Sequence, residues 1–180
     1  MGNMDSLSKP LDEGLKSGGV LLISIKSKDY RENLKNLTKI LMGRFKRICY
    51  VTVNDPCDNI ISSFSLDGNS NIFFIDCVTS MVKQPKPRQN VTFVSSPHAL
   101  TEISISLKKS LEKKTDFILF DSISTMLIYE NPLTVLRFIH NMILTLRASK
   151  IPTAFIILKE DVSNELLKDI NMLTDKNLEM

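Results

Sequence analysis

A three-layer α/β/α fold on a mainly parallel sheet is what this chain predicts, and three observations carry it. Short apolar runs of strand length alternate with stretches whose apolar residues recur at helical spacing. The runs are continuous rather than alternating with polar residues, which marks strands covered on both faces. Two of them end in an aspartate, Asp76 and Asp121, at the carboxyl ends where open α/β sheets bind their ligands.

With 180 residues, 43% of them hydrophobic and 24% charged, the chain suits one domain with a sizeable core. A net charge of +3 is too small to imply nucleic acid. No apolar run approaches the roughly 18 to 20 residues of a membrane span, and residues 1–19 are polar where a signal peptide carries its apolar segment. A cytoplasmic protein without a membrane partner is therefore expected. Cys49, Cys57 and Cys77 are odd in number and lack C-x-x-C spacing, so reduced thiols are expected rather than a disulfide framework or a zinc site.

Residues 1–17 mix Ser, Asp, Lys and Asn and read as a surface or flexible leader, with one domain following over 18–180. Gly18 and Gly19 break the chain before residues 20–25, VLLISI, which form a buried strand. After Lys26-Ser27-Lys28-Asp29 comes a helix with Leu34, Leu37, Ile40 and Leu41 on one face. A phosphate loop would belong at this turn. Glycines let backbone amides approach phosphate, and the open helix end adds its own amides and dipole. None of residues 20–42 is glycine, and Asp29 with Glu32 forms a capping-box pattern that places a carboxylate on those amides. Arg31 either stands in for a phosphate-binding lysine or is a solvated residue of the first turn.

Residues 47–53 form a second strand, stopped by Asn54-Asp55-Pro56, with Asp55 placed to cap the next helix and Pro56 at its first position. Ile60, Ile61 and Phe64 give that helix its apolar face, and residues 67–70, Asp-Gly-Asn-Ser, make a turn. Residues 72–75 form a third strand ending at Asp76. Cys77 follows directly; a neighbouring carboxylate raises a thiol pKa, so a packed structural thiol is expected. Lys83, Lys86 and Arg88 lie with two prolines in an exposed loop, without the aromatic platform that nucleic-acid binding calls for. Residues 91–94 form a short strand, and Ser96-Pro97 opens a helix with Leu100, Ile103, Leu107 and Leu111 inside. Lys108, Lys109, Lys113 and Lys114 suit the dipole at its end, and His98 reads as an exposed polar residue of its first turn.

Residues 115–125, TDFILFDSIST, form the central feature: a buried strand running into Asp121 and Ser122 at the sheet rim. Such an aspartate can hold Mg²⁺ opposite a phosphate loop. Asn131-Pro132 then starts a helix to about Ser149 whose apolar residues go nearly all the way round. Either the domain wraps that helix, or a second face around Val135, Phe138 and Met142 meets another subunit or a partner. His140 reads as a core or interface histidine rather than a metal ligand. Residues 153–158 form the last strand, and Ser163 or Asn164 caps a final helix with Leu166, Leu167, Ile170 and Leu173 on one face.

Five blocks in order, GGVLLIS from Gly18, YVTVNDP from Tyr50, FFIDCVTS from Phe73, NVTFVSSP from Asn90 and TDFILFDSIS from Thr115, make the chain resemble the KaiC-like branch of the RecA superfamily of ATPases, of archaeal type. The resemblance implies a P-loop-NTPase-like fold with Asp121 at the Walker B position. It also implies a lost phosphate loop: Ile25 to Arg31 stand where the family has its glycines and lysine, Glu32 replaces the magnesium-binding hydroxyl, and Val53, Asn54 and Asp55 stand where it places catalytic glutamates. ATP hydrolysis by the usual route is not expected.

Three functions are compatible with that degenerate site. In the first, a non-hydrolysing domain works through protein contact, as a homo-oligomer or regulatory partner, with no cofactor. In the second, a sensory domain takes a small ligand at a rim of Lys26, Lys28, Asp76 and Asp121. In the third, residual nucleotide binding uses Arg31, Lys26 or Lys28 for phosphate and Asp121 for Mg²⁺; the alternative for Asp121 is a fold element that hydrogen-bonds loop amides.

Overall fold

The computed structural model describes residues 4–67 and 71–180. Among the described residues seven strands form one sheet: β1 (Val20–Ile25), β2 (Ile48–Thr52), β3 (Ile72–Asp76), β4 (Val91–Phe93), β5 (Phe117–Asp121), β6 (Thr153–Leu158) and β7 (Lys176–Glu179). Every pairing is parallel, in the order β4-β3-β2-β5-β6-β1-β7. Helix α1 (Met4–Gly14) precedes β1; parallel neighbours need crossovers, and the helices between strands supply them: α2 (Tyr30–Arg44), α3 (Cys57–Phe64), α4 (Thr79–Val82), α5 (Leu100–Glu112), α6 (Ile123–Tyr129), α7 (Pro132–Ser149) and α8 (Asn164–Leu173).

Alternation along each strand sorts the core into two layers. Leu21, Ile23, Tyr50, Phe74, Leu119 and Ile156 face α1, α2 and α3. Val20, Leu22, Val51, Ile75, Phe120 and Phe155 face α5, α6, α7 and α8. The three-layer α/β/α arrangement predicted from sequence is thus the observed one, and no helix among the described residues is long and apolar enough to cross a membrane.

Several local expectations are corrected. The segment expected as a surface leader carries α1, with Leu11 and Leu15 in the core; Pro10 and the polar residues around it hide this helix from periodicity. Gly18 and Gly19 do more than interrupt the chain. Gly18 has φ +82°, and a Cβ there would sit 2.7 Å from the Lys150 carbonyl carbon, while a Cβ on Gly19 would sit 2.0 Å from the Gly14 oxygen. The third helix begins at Cys57 rather than Pro56, and Asp55 does not cap it. The helix expected from Ser96-Pro97 begins at Leu100, so His98 precedes it, exposed and edge-on to Tyr129; Glu102 reaches back to the amide and hydroxyl of Ser95. Helix α4 and strand β7 were not expected: α4 is one turn, and β7 has one buried apolar residue, Leu178. The turn expected over residues 67–70 lies mostly outside the described residues.

Helix α7 is wrapped by its own domain. Val135, Phe138 and Met142, expected as a possible interface, are buried within the chain, packed in the layer with α8 and α5. Leu133 and Leu144 face outward on the same helix, and so does His140, which is neither core nor part of a buried face. Asn131 and Ser163 cap α7 and α8 as expected, accepting from Thr134 N and Leu166 N.

Candidate functional site

Strand register brings the residues of interest together at the carboxyl edge of the sheet. Thr52 of β2 lies opposite Asp76 on one side and Asp121 on the other. By the same alternation, both aspartates and Tyr50 project toward the α2 and α3 layer. Their surroundings then give the two carboxylates different roles.

Asp76 is fully buried and accepts four hydrogen bonds. Its Oδ2 takes Cys57 N at 2.9 Å and Thr79 Oγ1 at 2.7 Å, and its Oδ1 takes Val78 N at 2.9 Å and Thr79 N at 2.8 Å. Burial works against its charge, but the bonds from Thr79, Cys57 and Val78 together outweigh it and hold the carboxyl below the usual carboxylate range. This aspartate, rather than Asp55, satisfies the first amide of α3, and it pins α4 as well. With its oxygens committed to the backbone, it does not line the pocket described below. Cys77 beside it is fully buried, its thiol pushed up by burial and then by Asp76; Cys57 is raised to about 12, again by burial first.

Asp121 is also buried, but phenols bind it instead of amides. Tyr50 donates its hydroxyl to Oδ2 at 2.8 Å, and Tyr30, at the start of α2, donates to Oδ1 in a short contact. Asn54 Nδ2 in turn donates to the Tyr30 oxygen at 3.1 Å. Burial raises the Asp121 carboxyl to about 6 against the pull of these two hydroxyls, and both tyrosines are raised well above the ordinary phenol value, by burial and then by Asp121. Ser122 caps α6, accepting from Thr125 N, and is wholly buried.

The turn after β1 holds a different arrangement from the expected capping box. Asp29 makes no side-chain cap bond. Instead Glu160, just past β6, accepts both Ser27 N at 3.0 Å and Ser27 Oγ at 2.9 Å through one oxygen. These bonds hold the Glu160 carboxyl below its usual range. A carboxylate does sit on the loop amide, as expected, but it comes from across the sheet, where β1 and β6 pair. Lys26 and Lys28 are exposed at this turn, with Lys28 4.0 Å from Asp29.

Arg31 lies elsewhere. Its guanidinium pairs with Asp55 at 3.1 Å, and Asp55 also accepts from Asn59 at 2.7 Å, which is why it does not cap α3. Between α2 and α3 these groups border a pocket of about 200 Å³ that includes Tyr30, Arg31, Asn54, Asp55 and Asp121 over a floor of Leu34, Ile60 and Phe64. Of the residues predicted as ligand-binding, the structure brings Arg31 and Asp121 to this pocket; Lys26, Lys28, Asp76 and Ser122 lie outside its lining. Sequence reasoning missed Tyr30, Tyr50 and Glu160. Tyr50 carried a signal: it is the polar-tipped residue of an apolar strand, two positions before Thr52 and so on the same face.

The resemblance read from the sequence implies a magnesium nucleotide, and the residues at these strand ends do not fit one. The turn after β1 has no glycine to open a cradle, Ser27 N is taken by Glu160, both Asp121 oxygens accept phenols, and Arg31 is engaged with Asp55.

No family model matches the chain, and no curated protein matches it. Solved structures do. The flagellar accessory protein FlaH of Methanocaldococcus jannaschii aligns over 98% of this chain and 77% of its own, with a TM-score of 0.55 and 16% identity. A KaiC-like protein of the hyperthermophilic archaeon Pyrococcus horikoshii aligns over 91% of this chain and 72% of its own, with a TM-score of 0.63 and 6% identity. At these identities the likeness is one of fold: the chain shares its architecture with these two proteins.

Proposed function

We propose that this chain, a KaiC-like RecA-superfamily domain by fold, is a non-hydrolysing module of an archaeal cytoplasm that acts through regulatory or protein contact and needs no cofactor. The observation that carries the reading is the Glu160 carboxylate on the amide and hydroxyl of Ser27, at the turn where such a fold would meet phosphate. A bound phosphate there would have to displace a carboxylate that is already hydrogen-bonded, and no glycine amides would compensate. Protein contact is supported by apolar side chains left outside near the carboxyl ends of the strands: Val82 is 80% exposed, Ile128 78% and Leu133 55%. Single exposed apolar residues are ordinary, but these lie on the short helices that follow β3 and β5 and at the start of α7.

Titration calorimetry with ATP, at protein concentrations sensitive to millimolar binding, is expected to give no heat that depends on Mg²⁺. Saturable heat that vanishes without Mg²⁺ would overturn the reading and restore a residual nucleotide site around Arg31 and Asp121. One observation favours a second function, a small-ligand sensor: the pocket of about 200 Å³ between α2 and α3, where Arg31, Asp55 and Asn54 stand above an apolar floor. Its size is below the common range of roughly 300 to 1,000 Å³ for ligand sites, so it would take only a small molecule.

A further inference from the structure

The opposite end of the sheet holds a second concavity. A pocket of about 300 Å³ lies at the amino ends of β2 and β3 beneath the end of α5, and Arg47, Phe73, Asn90, Glu112, Lys113 and Lys114 are among the residues that line it. Three of these are cations and one is an acid. Elsewhere in the molecule some exposed cations find carboxylates, Arg31 with Asp55, Arg88 with Asp58, Arg147 with Asp175, Lys159 with Glu179 and Lys176 with Glu13, while others among the described residues, such as Lys86, Arg137 and Lys150, do not; what sets this place apart is that three cations border one basin. Among the described residues, Arg47, Lys113 and Lys114 have no carboxylate within ion-pair distance, although Glu112 shares their pocket.

Two of the three are also held in place. Arg47 is fixed by its backbone, whose amide donates to Asp116 at 2.9 Å and whose carbonyl accepts Asp116 N at 2.9 Å, while its guanidinium donates to the Lys113 carbonyl. Lys113 Nζ sits 4.6 Å from the Phe73 ring centroid. The helix dipole accounts for Lys108 and Lys109, which lie within the last turns of α5; Lys113 and Lys114 lie past its end, and Lys114 has φ +60°. A guanidinium has five N–H donors, of which the Lys113 carbonyl uses one. What remains is a set of donors around a small basin with excess positive charge.

We propose that this basin binds a small multivalent oxyanion, of the polyphosphate or polycarboxylate class, through Arg47, Lys113 and Lys114. Its volume suits a ligand of that size rather than a macromolecule. Multiple charge is favoured because three cations border the basin against one acid, Glu112, which leaves more positive charge than a single carboxylate would balance. Charge-assisted bonds to such an anion are the strong kind, and they weaken with salt.

The test is an NMR titration of the full chain with pyrophosphate and, separately, with citrate, against sodium chloride at matched ionic strength. Saturable shifts centred on the amides of Lys113, Lys114 and Asn90, absent with chloride, are expected. The Lys113→Gln/Lys114→Gln variant should weaken binding about tenfold or more with an unchanged melting temperature, as both side chains are exposed. Glu112→Gln, which removes the opposing charge, should tighten it. Response to one probe alone identifies the anion class. Shifts that never saturate, that match those with chloride, or that are unchanged in the lysine variant overturn the proposal.

Discussion

Alanine at Asp76 is expected to lower the unfolding free energy by about 4 kcal/mol, the largest effect of any single polar substitution at the strand ends. The substitution leaves Cys57 N, Val78 N, Thr79 N and the Thr79 hydroxyl without their acceptor, in a place that water reaches poorly. Asp76→Asn should recover part of the loss, since the carboxamide keeps one accepting oxygen but turns a donor toward the other amides. Urea unfolding followed by circular dichroism measures both. The Asp76 carboxyl is held below its unfolded value of 3.8, so its stabilisation is present above that pH and is lost as pH falls through the depressed value. The wild-type advantage over Asp76→Ala should therefore shrink on acidification below about pH 4. A variant that loses less than about 1 kcal/mol would mean that α3 and α4 find other acceptors.

Tyr50→Phe should cost about 2 to 3 kcal/mol at pH 8 and about 1 kcal/mol at pH 4. The phenyl ring keeps the packing on Phe74, 5.4 Å between centroids, so the loss isolates the hydroxyl. The sign follows from Asp121. Its carboxyl titrates at about 6 in the fold against 3.8 in the unfolded chain. Stability from this group is fully present below the unfolded value and is lost as pH rises through about 6, because above that pH a desolvated charge must be held. Tyr50 donates to that charge, so its removal matters most where the charge exists. Asp121→Asn removes the charge and should flatten the stability profile between pH 4 and 7. If Tyr50→Phe costs the same at both pH values, the phenols are not what holds the Asp121 charge.

Much of the fold could be read from apolar runs because its strands are buried on both faces. Residues 20–25 and 153–158 were bounded correctly, and α7 was bracketed by its Asn131-Pro132 start. Elements failed where burial was slight: β7 has Leu178 as its one inward residue, and α1 combines a proline with a polar surface. Even the all-round apolar pattern of α7 was ambiguous, because sequence cannot tell a neighbouring subunit from the chain's own α5 and α8. The candidate site was legible only as far as chemistry stays local. Asp76 and Asp121 look alike in sequence, each closing a strand, yet one meets amides and the other phenols contributed by residues 71 and 91 positions away. Glu160 reaches Ser27 across 133 positions, a contact that depends on β6 lying beside β1.

The strand order also divides the sheet in time. β4, β3, β2 and β5 are neighbours drawn from one stretch of chain, residues 48–121, and can pair while the rest is still unfolded. β1 cannot join them. It is the first strand in the chain, but its partners are β6 and β7, and β6 is what connects it to β5. Closing that long loop costs entropy before any contact repays it, which places the second half of the sheet late in folding. Until then the apolar run of β1 is an unpaired, hydrophobic strand, the species on which aggregation starts and chaperones act.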